Sequence, residues 1–169
     1  MAWKMRRRGD HPASRSRALI AMVGLALLSG CSQNTAAAPG QTIPSSVPSV
    51  RAGTELATAK TNFETGNFGY AARYFEMALK ASPSSNEACL GLAASYDWLH
   101  RFDLADNTYG KCRKIGGETF IYHNNIGFSY YLRGEYDKAS VNLAQAQALQ
   151  PGHPVVENNL RILHVVFSD

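Results

Sequence analysis

Between residues 52 and 153 the apolar and small positions of the chain recur every 34 residues. One column reads Phe68, Phe102, Tyr136, and another Ala71, Ala105, Ala139. Phe75, Tyr109, Leu143 follow, then Ala78, Cys112, Ala146, and each unit closes on Pro83, Gly117 or Pro151. Upstream stand Ala59, Ala93, Gly127, and three residues later Asn62, Tyr96, Tyr130. Each unit therefore predicts two helices. The first carries apolar residues at helical spacing, as in Ile126, Tyr130 and Leu132. It ends near Gly66 or Gly134, where glycine accepts a left-handed backbone cheaply. His100 takes that place in the middle unit, at some expected cost in stability. The second helix carries Ala71 or Ala139 where two backbones approach, and a larger side chain there would cost about 1–3 kcal/mol. Ser84 and Glu87 have capping-box spacing, and Pro154 fits the first turn of a closing helix.

A lone helix pair cannot bury its apolar face, so such units must stack, and about three are needed. The column pattern resembles the tetratricopeptide repeat (TPR), with units at 52–85, 86–119 and 120–153 and a closing helix at 154–169. The resemblance implies an all-α fold, a right-handed superhelix of three helix-turn-helix repeats with a C-terminal capping helix. Stacking of this kind produces a concave surface lined by the first helix of each unit. That face is expected to include Phe63, Asp97, Trp98, Phe128 and Tyr131. Taken singly, each aromatic could equally fill a gap between helices. As a group on a concave face they fit recognition of a partner.

Asn124 and Asn125 recur as Asn158 and Asn159, again 34 apart. The family resemblance implies that asparagines in the Asn125 column hydrogen-bond the backbone of a bound peptide. Ala57 and Gly91 stand there in the first two units, which confines such contacts to the C-terminal half. The basic clamp that some family members use for a terminal carboxylate is unmatched. Its columns hold Leu56, Leu90, Asn124 and Lys60, Ala94, Phe128.

Composition adds a division of the chain. Of 17 basic residues, Lys4, Arg6, Arg7, Arg8, Arg15 and Arg17 precede residue 31, against one acid, Asp10, of 13. The remainder carries 17 − 6 = 11 basic and 13 − 1 = 12 acidic side chains, so the net charge of +4 belongs to the leader. No basic cluster after residue 31 could neutralise phosphates, which argues against nucleic acid as a partner. The run from Ala18 to Leu28 is 11 residues long, against about 20 for a membrane-crossing helix. Behind a cationic segment it reads as the core of a signal peptide spanning 1–30. The competing reading is a short buried helix with a basic arm. Residues 28–31, Leu-Ser-Gly-Cys, resemble the lipobox of bacterial lipoproteins. This implies cleavage before Cys31 and lipidation of Cys31, and two or more acyl chains anchor stably. Ser32 after the cysteine is similar to the pattern of outer-membrane lipoproteins facing the periplasm. Residues 32–51 are polar with Pro39, Pro44 and Pro48, so 31–51 reads as a lipidated cysteine followed by a disordered linker. Its span would be roughly 25 Å.

Cys89 and Cys112 fall near the start of the first helix and the end of the second in the middle unit, where they should face each other. In an oxidising compartment they form either a disulfide or a pair of small buried apolar side chains. No G-x-S-x-G, phosphate-binding glycine loop or H-E-x-x-H is present. His123 and His164 sit in helix columns held elsewhere by core residues, without metal-ligand spacing. Neither a catalytic site, a cofactor nor a metal is therefore expected.

Residues 122–139, "YHNNIGFSYYLRGEYDKA", and 156–166, "VENNLRILHVV", resemble the TadD family, the TPR lipoproteins of the tight-adherence (Flp) pilus assembly system. That resemblance implies a non-enzymatic adapter with a protein partner, a secretin or another pilus assembly component. The alternatives are a generic periplasmic TPR scaffold recruiting envelope or cell-wall machinery, and a soluble enzyme or regulator.

Overall fold

The computed structural model describes residues 42–168; the proposed signal peptide and Cys31 lie outside them. Seven helices fill this span, and no strand occurs among the described residues. They are α1 (Glu55–Glu64), α2 (Phe68–Ala81), α3 (Asn86–Trp98), α4 (Phe102–Gly116), α5 (Phe120–Leu132), α6 (Tyr136–Leu149) and α7 (Pro154–Ser168). α1 with α2, α3 with α4, and α5 with α6 form hairpins. Successive hairpins stack through α2 on α3 and α6 on α7, and α1, α3, α5 and α7 also touch in series. α4 meets α5 more sparsely.

The repeated columns form the core. Ala71, Ala105 and Ala139 are inaccessible, as are Phe75, Leu143, Cys112 and Ala146, with Tyr109 nearly so. Ala59 and Ala93 are also fully buried, and the third member of their column, Gly127, is held tighter still. A Cβ on Gly127 would lie 2.8 Å from Leu143 Cγ and 3.2 Å from the Ala139 carbonyl oxygen. The small residues are thus the places where the two helices of a hairpin touch.

Helix ends repeat with the same period. Asn67 N–H donates to the Asn62 carbonyl at 2.8 Å, Arg101 to Tyr96 at 2.8 Å and Glu135 to Tyr130 at 3.0 Å. This bond needs a left-handed residue just before it. Gly66 (φ 81°) and Gly134 (φ 76°) supply it, and His100 supplies it at φ 55°. α3 and α5 start under side-chain caps also 34 apart. Ser85 accepts from Ala88 N–H, and Thr119 from Tyr122 N–H. The cap of α3 is thus Ser85 and not Ser84, and Glu87 pairs with Lys60 of α1 at 2.7 Å instead of closing a capping box. Cys89 and Cys112 are joined by a disulfide that fastens the start of α3 to the end of α4.

Two features depart from the expected plan. The described part of the linker is laid down on the first hairpin: Ile43, Val47 and Val50 pack against the core, and Gly69 of α2 lets the chain pass close by. Apolar residues spaced among prolines supply enough burial to order a stretch whose overall composition suggests none. At the other end, Arg161 of α7 occupies the column of Ala59, Ala93 and Gly127 and is exposed. A second helix could not pack on α7 as α2, α4 and α6 pack on their partners.

Candidate functional site

Two chains of side chains run across the repeats. The aromatic one starts at Phe63, whose ring meets Phe68 edge-on at 5.0 Å. Phe68 stacks on Trp98 at 5.0 Å, and Trp98 leans on Phe128 at 5.3 Å. These four rings link all three units. Such offset and edge contacts are worth about 0.5–1.5 kcal/mol each beyond the area they bury. Phe63 and Phe128 are buried, while Phe68 and Trp98 are partly exposed. The Trp98 indole N–H is buried without a hydrogen-bond acceptor. Tyr131, also partly exposed, lies 5.9 Å from Tyr136, ring to ring.

The second chain is made of amides. Arg161 donates to Asn158 at 3.0 Å, Asn158 to Asn159 at 3.3 Å, Asn159 to Asn124 at 2.9 Å, and Asn124 to Asn125 at 3.2 Å. Asn124, Asn125 and Asn159 are completely buried and Asn158 is partly exposed. The period of 34 brings the two Asn-Asn pairs side by side, joining α5 to α7.

Asp97, expected on the binding face, holds helices together instead. Its carboxylate is fully buried. Oδ2 accepts from the Tyr109 hydroxyl of α4 at 2.9 Å, and Oδ1 accepts from the Ser129 hydroxyl of α5 at 2.6 Å. Arg133 Nη2 stands 3.9 Å away, pairs with Asp106, and donates to the same Ser129 oxygen at 2.9 Å. Burial drives the Asp97 pKa up to about 7, against the opposing pull of Ser129, Tyr109 and Arg133. The Tyr109 hydroxyl is pushed upward as well, by burial first and then by the facing carboxylate.

Above this junction a cleft of about 270 Å³ opens between α4 and α5, lined by Asp106, Tyr109, Gly110, Arg113, Tyr122 and Ser129 among others. The columns explain it. Ala72, Glu76 and Leu79 of α2 become Asp106, Gly110 and Arg113 in α4, so the close apolar fit of α2 on α3 is not repeated.

Phe68, Tyr109, Ser129 and Arg133 were not expected at a site. A signal exists for one of them, Tyr109, through its pairing with Asp97. The columns of Asp97 and Tyr109 are wholly aromatic or apolar in the outer units, with Phe63 and Tyr131, and Phe75 and Leu143. Paired polar departures within one unit point to a partnership between them.

No protein-family model matches the sequence. No curated protein sequence matches it either. Solved structures do. The first TPR domain of human RPAP3 aligns with a TM-score of 0.59 at 15% identity, covering 68% of this chain and 91% of that one. The TPR domain of Arabidopsis OM64 aligns with a TM-score of 0.58 at 15% identity, covering 67% and 93%. The described chain thus has the all-α TPR fold.

Proposed function

We propose that this chain is a non-enzymatic adapter that holds a segment of a partner protein along the aromatic row. The observation that carries the reading is the continuous contact of Phe63, Phe68, Trp98 and Phe128 across three units. An aromatic row with a partly exposed tryptophan is the composition of interface hot spots.

In the finer reading the adapter is tethered through Cys31 to the outer membrane, faces the periplasm and serves Flp pilus assembly by engaging a secretin. The lipobox-like Leu28–Cys31 and the TadD-like segments of α5 and α7 support this. Palmitate labelling in cells tests the anchor: label is expected on the wild type and absent from Cys31→Ser. A photoreactive residue at Tyr131 tests the partner. Capture of a secretin is expected, and capture of a cell-wall synthase instead would replace the pilus role by a general scaffold role.

A further inference from the structure

We propose that the flank of α2 formed by Gly69, Arg73 and Tyr74 is a recognition site for a segment patterned apolar-Pro-x-x-apolar-Pro, filled here by the chain's own residues 43–48. This site is separate from the aromatic row.

Residues 43–48 read Ile-Pro-Ser-Ser-Val-Pro. A residue before proline is held extended by the proline ring, so Ile43 and Val47 are shaped for an extended strap before they dock. Both apolar side chains pack against the core. Both proline carbonyls accept from α2, Pro44 from Arg73 Nε at 2.7 Å and Pro48 from the Tyr74 hydroxyl at 3.0 Å. Each apolar-Pro step therefore makes the same pair of contacts, one greasy and one polar. Proline brings no N–H that would need an acceptor. Ser45 and Ser46 between the steps are exposed and unread.

The receiving side is specific to the first unit. Gly69 is replaced in its column by Asp103 and Asp137, Arg73 by Asn107 and Val141, and Tyr74 by Thr108 and Asn142. A Cβ on Gly69 would lie 1.8 Å from the Thr42 carbonyl oxygen, so only glycine admits the strap. Arg73 is aimed in advance: its Nη1 donates to Glu76 at 2.9 Å, and Glu76 also accepts from the Tyr96 hydroxyl of α3 at 2.9 Å. Side chains from two units thus prepare the donor before the strap arrives.

The strap leaves through an exposed turn in which Thr54 N–H donates to the Arg51 carbonyl at 3.0 Å. So short a connection holds it at roughly millimolar effective concentration. A segment binding in trans at about 100 µM would then be about 90% docked in cis. Another protein's segment of the same pattern would compete by capturing the roughly one tenth of molecules whose strap is undocked.

The test inserts a protease site between Ala52 and Gly53 of the full chain and follows a fluorescent peptide of residues 42–50 by anisotropy. The uncut chain is expected to bind about tenfold more weakly than the cut chain, which, freed of its leader, should bind saturably with a Kd of order 100 µM. Tyr74→Phe should weaken this about threefold to tenfold, the loss of one hydrogen bond. Gly69→Asp, which installs the residue of the other units, should abolish it. Binding unchanged by Gly69→Asp, or no binding by a cut chain that keeps its helical circular dichroism, would overturn the proposal. So would loss of that helical signal on cutting, since the strap would then be a structural part and not an occupant.

Discussion

The hydroxyl of Ser129 on α5 donates to the Asp97 carboxylate on α3 over 2.6 Å, across 32 positions of sequence. Tyr109 of α4 reaches the other oxygen of the same carboxylate. One buried acid therefore bonds both helices that flank the loosely fitted boundary between the second and third units. Hydrogen bonds to a buried charged group are worth about 1.5–3 kcal/mol, and leaving one unmade costs more. The junction substitutes polar bonds for the apolar fit that joins the first two units.

Stability should depend on pH through this acid. The folded pKa of about 7 lies above the ordinary aspartate value of 3.8. Between those values the folded chain binds the proton and the unfolded chain has released it. Raising pH through this window therefore costs stability, and the contribution is whole below about 4 and lost above about 7. Denaturant titrations should show the fold losing a few kcal/mol from this group over that window. Asp97→Asn should flatten the decline, and an unchanged slope would assign it to other groups.

Opening the Cys89–Cys112 bridge frees a loop with a sequence separation of 23. Chain entropy alone makes the bridge worth about 3 kcal/mol. Both sulfurs are buried, so reductant should act only after local opening. Alkylation without reductant, read by mass, is expected to modify neither cysteine. Cys112→Ser should lower the denaturation midpoint at least as much as full reduction of the wild type, because it also buries a hydroxyl at a fully enclosed position.

His100 holds a left-handed backbone that its counterparts Gly66 and Gly134 adopt freely. A non-glycine residue there costs about 1–2 kcal/mol, and glycine returns part of the gain as unfolded-state entropy. His100→Gly should therefore stabilise the chain by roughly 0.5–1 kcal/mol. Its ring also meets Phe102 edge-on at 5.6 Å. A net loss in thermal melts would show that this contact outweighs the backbone.

At Gly127 the opposite direction is expected. Alanine is the residue of its column in the first two units, yet here its Cβ would meet Leu143 and the Ala139 carbonyl. Gly127→Ala should destabilise by about 1–3 kcal/mol. Pairing it with Leu143→Val should restore part of that loss if contact with Leu143 is the cause.

The hairpins are legible in the sequence because every column meets the same neighbour in each unit. Ala71, Ala105 and Ala139 say the same thing three times. Asp97 is not legible by that logic. Periodicity places it where Phe63 and Tyr131 stand; its departure in polarity alongside Tyr109 hints at a partnership, but its acceptance of hydrogens from Tyr109 and Ser129 is what shows that it faces a helix junction. The amide chain is half legible. The recurrence of Asn124–Asn125 as Asn158–Asn159 is visible, but their bonding to each other depends on how α7 settles on α5. The strap is hidden for another reason. Its polar, proline-rich composition reads as a tether, and the five residues that dock it, Ile43, Pro44, Val47, Pro48 and Val50, are too few to alter that average.

Arg161 has a bearing on how such a molecule could grow. Tandem arrays lengthen by duplication, and a newly copied hairpin needs a small residue on the helix it would dock against. Here that place holds a guanidinium tied to Asn158. A further hairpin packed on α7 in the manner of α2 on α1 would require a small residue in place of this arginine.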